Sequence, residues 1–185
     1  MGKKRKNNYA ASLTAESFLY DETRILAEFL LEGSDVKTIS KRNLSENLIS
    51  CKKPRALKRL NSILVDRLDE MNGNILEALL NNDINNSRIT LLYIICKTDK
   101  LVRDFILGVY SDKIITRASS ITRVDLEKYF EEVCEFEPKM LESSDTTKAK
   151  IKSVLTRLLT AAVILEKNNN DEFRIIRPVI DRKSV

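Results

Sequence analysis

The sequence predicts a mainly α protein: a helical core with a helix-turn-helix-like N-terminal part and a C-terminal winged-helix-like part that carries a short β element. Three observations predict it. Apolar residues recur at steps of three and four through most of the chain, the spacing of helices that bury one face. A short helix, a connection and a longer helix with a basic first half follow one another over residues 35–71. From residue 113 a strand-like stretch, two helices and an extended basic segment succeed each other in winged-helix order. The expected organisation is a disordered basic arm (1–8), a helix-turn-helix-like region (9–72), a central helical scaffold (73–112) and a winged-helix-like region (113–185).

A chain of 185 residues can bury a core as one domain or as two small lobes sharing it. Its longest nearly uninterrupted apolar stretch, 89–96, falls far short of the roughly 20 residues that cross a bilayer. No apolar segment follows the basic run at the N-terminus, so a soluble cytoplasmic protein with no membrane contact is expected. Cys51, Cys96 and Cys134 lie far apart without paired spacing, against both a disulfide framework and a zinc knuckle. The chain has no histidine, which removes the commonest general base and the commonest metal ligand together. The net charge of +5 is unevenly spread: +6 over 1–60, −6 over 61–145 and +5 over 146–185. Two basic ends around an acidic middle suit contact with a polyanion at two places, or an acidic middle that meets a different partner.

In chain order, Lys3, Lys4, Arg5 and Lys6 form a basic arm of the kind that adds non-specific nucleic-acid affinity. Ile25, Leu26, Phe29 and Leu30 mark a helix capped by Asp21 and ended by Gly33 in the left-handed conformation. A second helix is expected over 35–42, with Ser34 as cap and Val36 and Ile39 inward. A polar connection of about ten residues, longer than a tight turn, leads to a helix over 54–71. Pro54 suits its first turn, and Leu57, Leu60, Leu64, Leu68 and Met71 form its core stripe. Lys52, Lys53, Arg55, Lys58 and Arg59 crowd its start, while Asp66, Asp69 and Glu70 sit at its far end. This order opposes the helix dipole at about 0.3–1 kcal/mol per exposed charge. An anion at the N-terminus would turn the liability into a site, and a merely solvated face is the alternative.

Gly73 marks a break, followed by a short helix over 74–80 and a turn-rich stretch through Asn85–Asn86. A central buried helix is expected over 88–97, then one capped by Asp99 that carries Leu101, Val102, Phe105, Ile106 and Val109. Residues 113–116 read as a strand, and Thr122 starts a helix with Leu126, Tyr129, Phe130 and Val133 inside. Asp145 or Thr146 caps a long helix whose stripe is Ile151, Val154, Leu155, Leu158, Leu159 and Ala162. A turn at 168–171 and an extended stretch over 173–180, with Arg174 and Arg177, complete the pattern. Lys148, Lys150 and Lys152 crowd the start of the long helix and Arg157 follows, so the inverted charge recurs. The candidate nucleic-acid-binding residues are therefore Lys52, Lys53, Arg55, Lys58, Arg59, Lys148, Lys150, Lys152, Arg157, Arg174 and Arg177. In a winged helix the second helix enters the major groove and the wing touches the backbone.

Ala11-Ser12-Leu13-Thr14, Glu22-Thr23-Arg24, Leu30-Leu31-Glu32-Gly33, Arg103-Asp104-Phe105 and the helix over 147–165 resemble the BrxA family, the small accessory proteins of BREX phage-defence systems. The resemblance implies a mostly helical, non-catalytic protein that works with other BREX proteins and has DNA binding as its activity. The family has also been likened to NusB-type RNA-binding proteins, which keeps RNA as a second target. It supplies no active site to carry over. Arg24 lies in the clearest motif, yet tying its helix to Asp21, Glu28 or a neighbour is a sufficient role.

Catalytic signatures are missing. None of the four glycines lies in a phosphate-binding loop, and no histidine stands ready to activate a serine or cysteine. No catalytic residue, cofactor, metal or small-molecule substrate is expected. Glu127, Glu131 and Glu135 share a helix face at a spacing that could hold a hard cation for nuclease chemistry. A solvated face, or a docking surface for a basic partner, is the better reading. The leading expectation is thus a double-stranded DNA binder, with an assembly adaptor acting through the acidic middle as the alternative from another class.

Overall fold

The computed structural model describes residues 18–168 and 172–178, without the side chain of Lys139. The basic arm, the 11–14 motif, most of the turn expected at 168–171 and the end of the 173–180 stretch lie outside the described residues. The chain is mainly helical with a small three-stranded antiparallel sheet, and it forms two compact units, Phe18–Thr98 and Asp99–Arg177. The stretch 73–112, expected as one scaffold, is divided between them at Thr98 and Asp99. Among the described residues no helix is long and apolar enough to cross a membrane.

The N-terminal unit contains α1 (Tyr20–Leu31), α2 (Val36–Glu46), α3 (Pro54–Leu68), α4 (Gly73–Asn81) and α5 (Ile84–Thr98). Helix α1 does not use Asp21 as its cap. It starts from Leu19 in the left-handed conformation (φ 50°), whose carbonyl accepts both the Thr23 amide (3.0 Å) and the Thr23 hydroxyl (2.5 Å). Gly33 ends it as expected, at φ 93°, with the Ser34 amide closing on the Phe29 carbonyl at 2.9 Å. The cap of α2 is Asp35 rather than Ser34; its carboxylate accepts from the amides of Lys37 and Thr38 at 3.0 and 3.1 Å.

Helix α2 runs on to Glu46 and the connection to α3 shrinks to 47–53, because two asparagines hold it there. Asn43, fully buried, donates to Asn61 of α3 (2.8 Å) and accepts from the Ile49 amide (3.3 Å); Asn61 in turn donates to Ser40 (2.8 Å). Asn47, left-handed at φ 53°, brackets Cys51 with two hydrogen bonds. Polar residues that read as solvated linker are the fastening between α2 and α3.

Pro54 opens α3, and Leu57, Leu64 and Leu68 are buried as the spacing predicts, although the helix stops at Leu68. Arg67, 1% exposed, donates to the Phe18 carbonyl (2.9 Å) and reaches the Thr23 hydroxyl (3.4 Å), fixing α3 to the start of α1. Gly73 stands at the expected break as the first residue of α4, which Asn72 caps. Asp83 accepts from the amides of Asn85 and Asn86, so the turn expected there is the first turn of α5.

In the C-terminal unit Asp99 caps α6 (Lys100–Phe105), accepting from the Val102 amide at 3.0 Å. The helix continues through a π-helical turn, Ile106–Tyr110, into α7 (Ser111–Ile115). The strand expected at 113–116 is therefore helix: Lys113 pairs with Asp125 at 2.8 Å, and Ile115 lies in solvent. The first strand is instead β1 (Ser120–Ile121). Thr122 and Asp125 form a reciprocal capping box that starts α8 (Arg123–Phe136), followed by α9 (Pro138–Leu141). Ser144, not Asp145 or Thr146, caps α10 (Asp145–Ala161), and the whole expected stripe from Ile151 to Ala162 is buried. Then come β2 (Leu165–Lys167), which periodicity does not separate from the helix before it, and β3 (Phe173–Ile175); β3 lies between β1 and β2. Phe105, Tyr129 and Phe130 make edge-to-face contacts in the core, and the Tyr129 hydroxyl donates to the Leu101 carbonyl at 2.6 Å.

Candidate nucleic-acid interface

The two basic helices lie in different units, and each is positioned by its own apolar stripe. At the start of α3, Lys52, Lys53, Arg55, Lys58 and Arg59 are all exposed and have no ion-pair partner among the described residues. The helix N-terminus itself offers few free donors. Pro54 has no N–H, and the amides of Ala56 and Leu57 both close on the Lys53 carbonyl (2.9 and 3.1 Å). An anion here would therefore meet side-chain cations rather than a nest of amides.

On α10 the predicted cations divide. Lys150 and Arg157 are exposed, with the Arg157 Nε held by the Ser153 carbonyl (3.3 Å). Lys148 is half-buried and donates to the Leu141 carbonyl at the end of α9 (3.1 Å). Lys152 is half-buried too, its Nζ 5.5 Å from the centre of the Phe130 ring. Thr146, Ala149, Ser153 and Thr160 are exposed along the outer face, so small side chains run between the two cationic edges. Arg174 pairs with Glu166 across the β2–β3 hairpin, its Nε 2.8 Å from the carboxylate, and Arg177 is exposed. The Arg177 charge opposes, without cancelling, the upward shift that burial imposes on the Tyr110 phenol.

One cation escaped the sequence reading. Arg123, the first residue of α8, has a side chain 74% exposed and joins Lys148 and Lys152 in lining a cleft of about 470 Å³ between α8, α10 and β3. Its place immediately after the Thr122 cap was the available signal. It pairs with Glu127 at 2.8 Å, and that hydrogen bond holds the Glu127 carboxyl below its usual range against burial, with Lys152 adding to the effect. Glu127 is thus half of an ion pair, whereas Glu131 and Glu135 are exposed. No group of acids among the described residues is arranged to hold a metal ion.

Arg24 ties its helix to a neighbour rather than to Asp21 or Glu28. It donates to the Tyr20 hydroxyl (2.9 Å) and to the Leu80 carbonyl at the end of α4 (3.1 Å), and Tyr20 donates to Ser87 of α5 (2.9 Å). The Glu22-Thr23-Arg24 motif is architectural: Thr23 and Arg24 join α1 to α3 and α4, and Tyr20, to which Arg24 donates, joins it to α5.

These features define a small, mainly helical protein of two units, each displaying a cationic helix. The chain belongs to the BrxA family, whose model matches residues 7–185. It is 25% identical over 173 residues to a protein named BREX protein BrxA from Bacillus cereus (strain H3081.97), covering 94% of this chain and 86% of that one. Its fold is shared with a crystal structure of an uncharacterized protein from Magnetospirillum magneticum (TM-score 0.77, 21% identity), covering 96% of this chain and 90% of the other.

Proposed function

We propose that this protein is a non-catalytic, double-stranded DNA-binding component of a BREX anti-phage defence system, acting in the cytoplasm alongside other BREX proteins. Membership of the BrxA family and the name of the Bacillus cereus relative support the BREX part of this reading. The surface of α10 carries the DNA part. Its setting supports a winged-helix reading, in which this helix reads the major groove: β1 is followed by α8, the one-turn α9 and α10, then by the β2–β3 hairpin, with β3 between β1 and β2. Small exposed side chains let a helix approach base edges, and Lys150 and Arg157 are free to meet phosphate. On α3, five unpaired cations suit backbone contact, so affinity is chiefly electrostatic.

If about five phosphates are neutralised, log affinity falls against log salt with a slope of roughly −4 to −5 on duplex DNA. Anisotropy titrations on duplex DNA, single-stranded DNA and RNA, run side by side over a salt series, test this. Tightest binding to duplex is expected. No binding at low salt overturns the proposal, and preference for RNA replaces the target.

A further inference from the structure

The sides of α6–α7 and α8 that face each other enclose a second cleft with a different chemistry, lined by Asp104, Gly108, Val109, Asp112, Tyr129, Glu132, Val133 and Phe136 and about 340 Å³ in volume. Its lining contains three carboxylates and no cation. Asp104 is partly neutralised by Arg103 (3.4 Å) and Lys100 (3.9 Å) on its own helix, but Asp112 and Glu132 are exposed and have no cation partner among the described residues. The floor is apolar and rigid: Tyr129 and Val133 are buried, and the Tyr129 hydroxyl is committed to the Leu101 carbonyl. At the rim Phe136 is 78% exposed, with Val109 half-buried opposite. Burying an exposed phenylalanine is favourable, so a partner that covers this rim gains by it.

The wall of the cleft is the π-helical turn, and Gly108 at its middle opens the space further, since a Cβ there would meet nothing within 4 Å. A metal ion does not suit the arrangement, because these acids do not converge as ligands. An anionic partner is repelled. We infer that the cleft of α6–α7 and α8 docks a lysine- and arginine-rich protein segment that inserts one apolar side chain between Phe136 and Val109 and sets its cations against Asp112 and Glu132. The surface is independent of the DNA reading and sharpens the acidic series of α8: the member that serves is Glu132, turned toward α6–α7, rather than the Glu127–Glu131–Glu135 face.

A fluorescein-labelled helical peptide of Lys, Arg and Ala around a single Phe provides the probe, read by anisotropy against the full chain at low salt. Binding is expected, with roughly tenfold loss in the double variant Asp112→Asn/Glu132→Gln and in Phe136→Ala. Gly108→Leu fills the cleft from a position with room for a side chain and is expected to abolish binding while the thermal melt stays intact. A peptide with Glu for Lys and Arg does not bind, and DNA affinity is unchanged in Phe136→Ala and Gly108→Leu, which alter no charge. Absence of binding, equal binding by the acidic peptide, or equal binding by the Asp112→Asn/Glu132→Gln chain overturns the inference. Self-association in sedimentation that Phe136→Ala abolishes assigns the cleft to a second copy and overturns it as well.

Discussion

Helices α3 and α10 both place cations in their first half, yet the surroundings make them different objects. In α3 the cap position holds Lys53, which contributes no side-chain bond, and the first turn has no acid. In α10 Ser144 accepts from the Thr147 amide, Asp145 sits in the first turn, and Lys148 is turned back onto the end of α9. The C-terminal unit therefore offsets much of the charge on its own helix, while the N-terminal unit leaves five cations on α3 uncompensated. Similar charge patterns in sequence thus give two different surfaces: a dense positive field at the start of α3, and on α10 an outer face edged by fewer free charges.

The most damaging change expected is Arg67→Ala, which removes the buried guanidinium that holds the Phe18 carbonyl and Thr23. A loss of about 1.5–3 kcal/mol is expected from removing hydrogen bonds made by a buried charged group, seen as an early urea transition of the N-terminal unit. If the unit melts unchanged, α3 is not held in this way. Next, the triple variant Arg55→Ala/Lys58→Ala/Arg59→Ala is expected to flatten the salt slope of DNA binding by about 2.7, because three phosphates are no longer neutralised. A slope left intact removes α3 from the interface. A smaller effect attends Lys150→Ala/Arg157→Ala, which should flatten the slope by about 1.8. Ser153→Leu tests the outer face separately, since it should weaken binding with the slope unchanged; equal slopes and affinities throughout would make the two helices equivalent.

The smallest effect concerns Asp125. Burial raises its pKa, but hydrogen bonds from Lys113 and Thr122 outweigh this and leave the carboxyl below its ordinary 3.8. A depressed folded pKa means that this stabilisation is fully present above the ordinary value and is lost as pH falls through the folded one. Asp125→Asn should cost about 1 kcal/mol in urea melts at neutral pH. The gap from the parent should narrow once the pH is well below 3.8. A gap independent of pH excludes the carboxylate as its source.

The apolar stripes were legible in the sequence because burial imposes helical spacing directly: Leu57, Leu64 and Leu68 on α3 and Ile151 to Ala162 on α10 lie inside as read. What hid from the sequence was polar and non-local. Asn43, Asn61 and Ser40 look like solvent residues until a second helix brings their partners, and Arg67 looks like one more surface charge. The β-branched run at 113–116 suggested a strand, but it continues the helix begun at Lys100 through the π-helical turn, and Lys113 pairs with Asp125 of α8. Of the candidate site, the exposure of the α3 cations could be read from their position off the stripe. The partners that engage Lys148, Lys152 and Arg174 could not, because they are α9, Phe130 and Glu166 in turn.

The π-helical turn at Ile106–Tyr110 has a genealogical consequence. A turn closed from i to i+5 holds one more residue than an α turn, and the helix absorbs the surplus without a loop. At its end Tyr110 reaches the Ile176 carbonyl (3.1 Å), and beyond it Lys113 reaches Asp125, so the phase of everything after Gly108 depends on that extra residue. Deleting it would rotate α7 about its axis and separate both contacts. A one-residue length difference between this chain and a relative can thus sit inside a helix, where sequence comparison would score it as a misplaced gap.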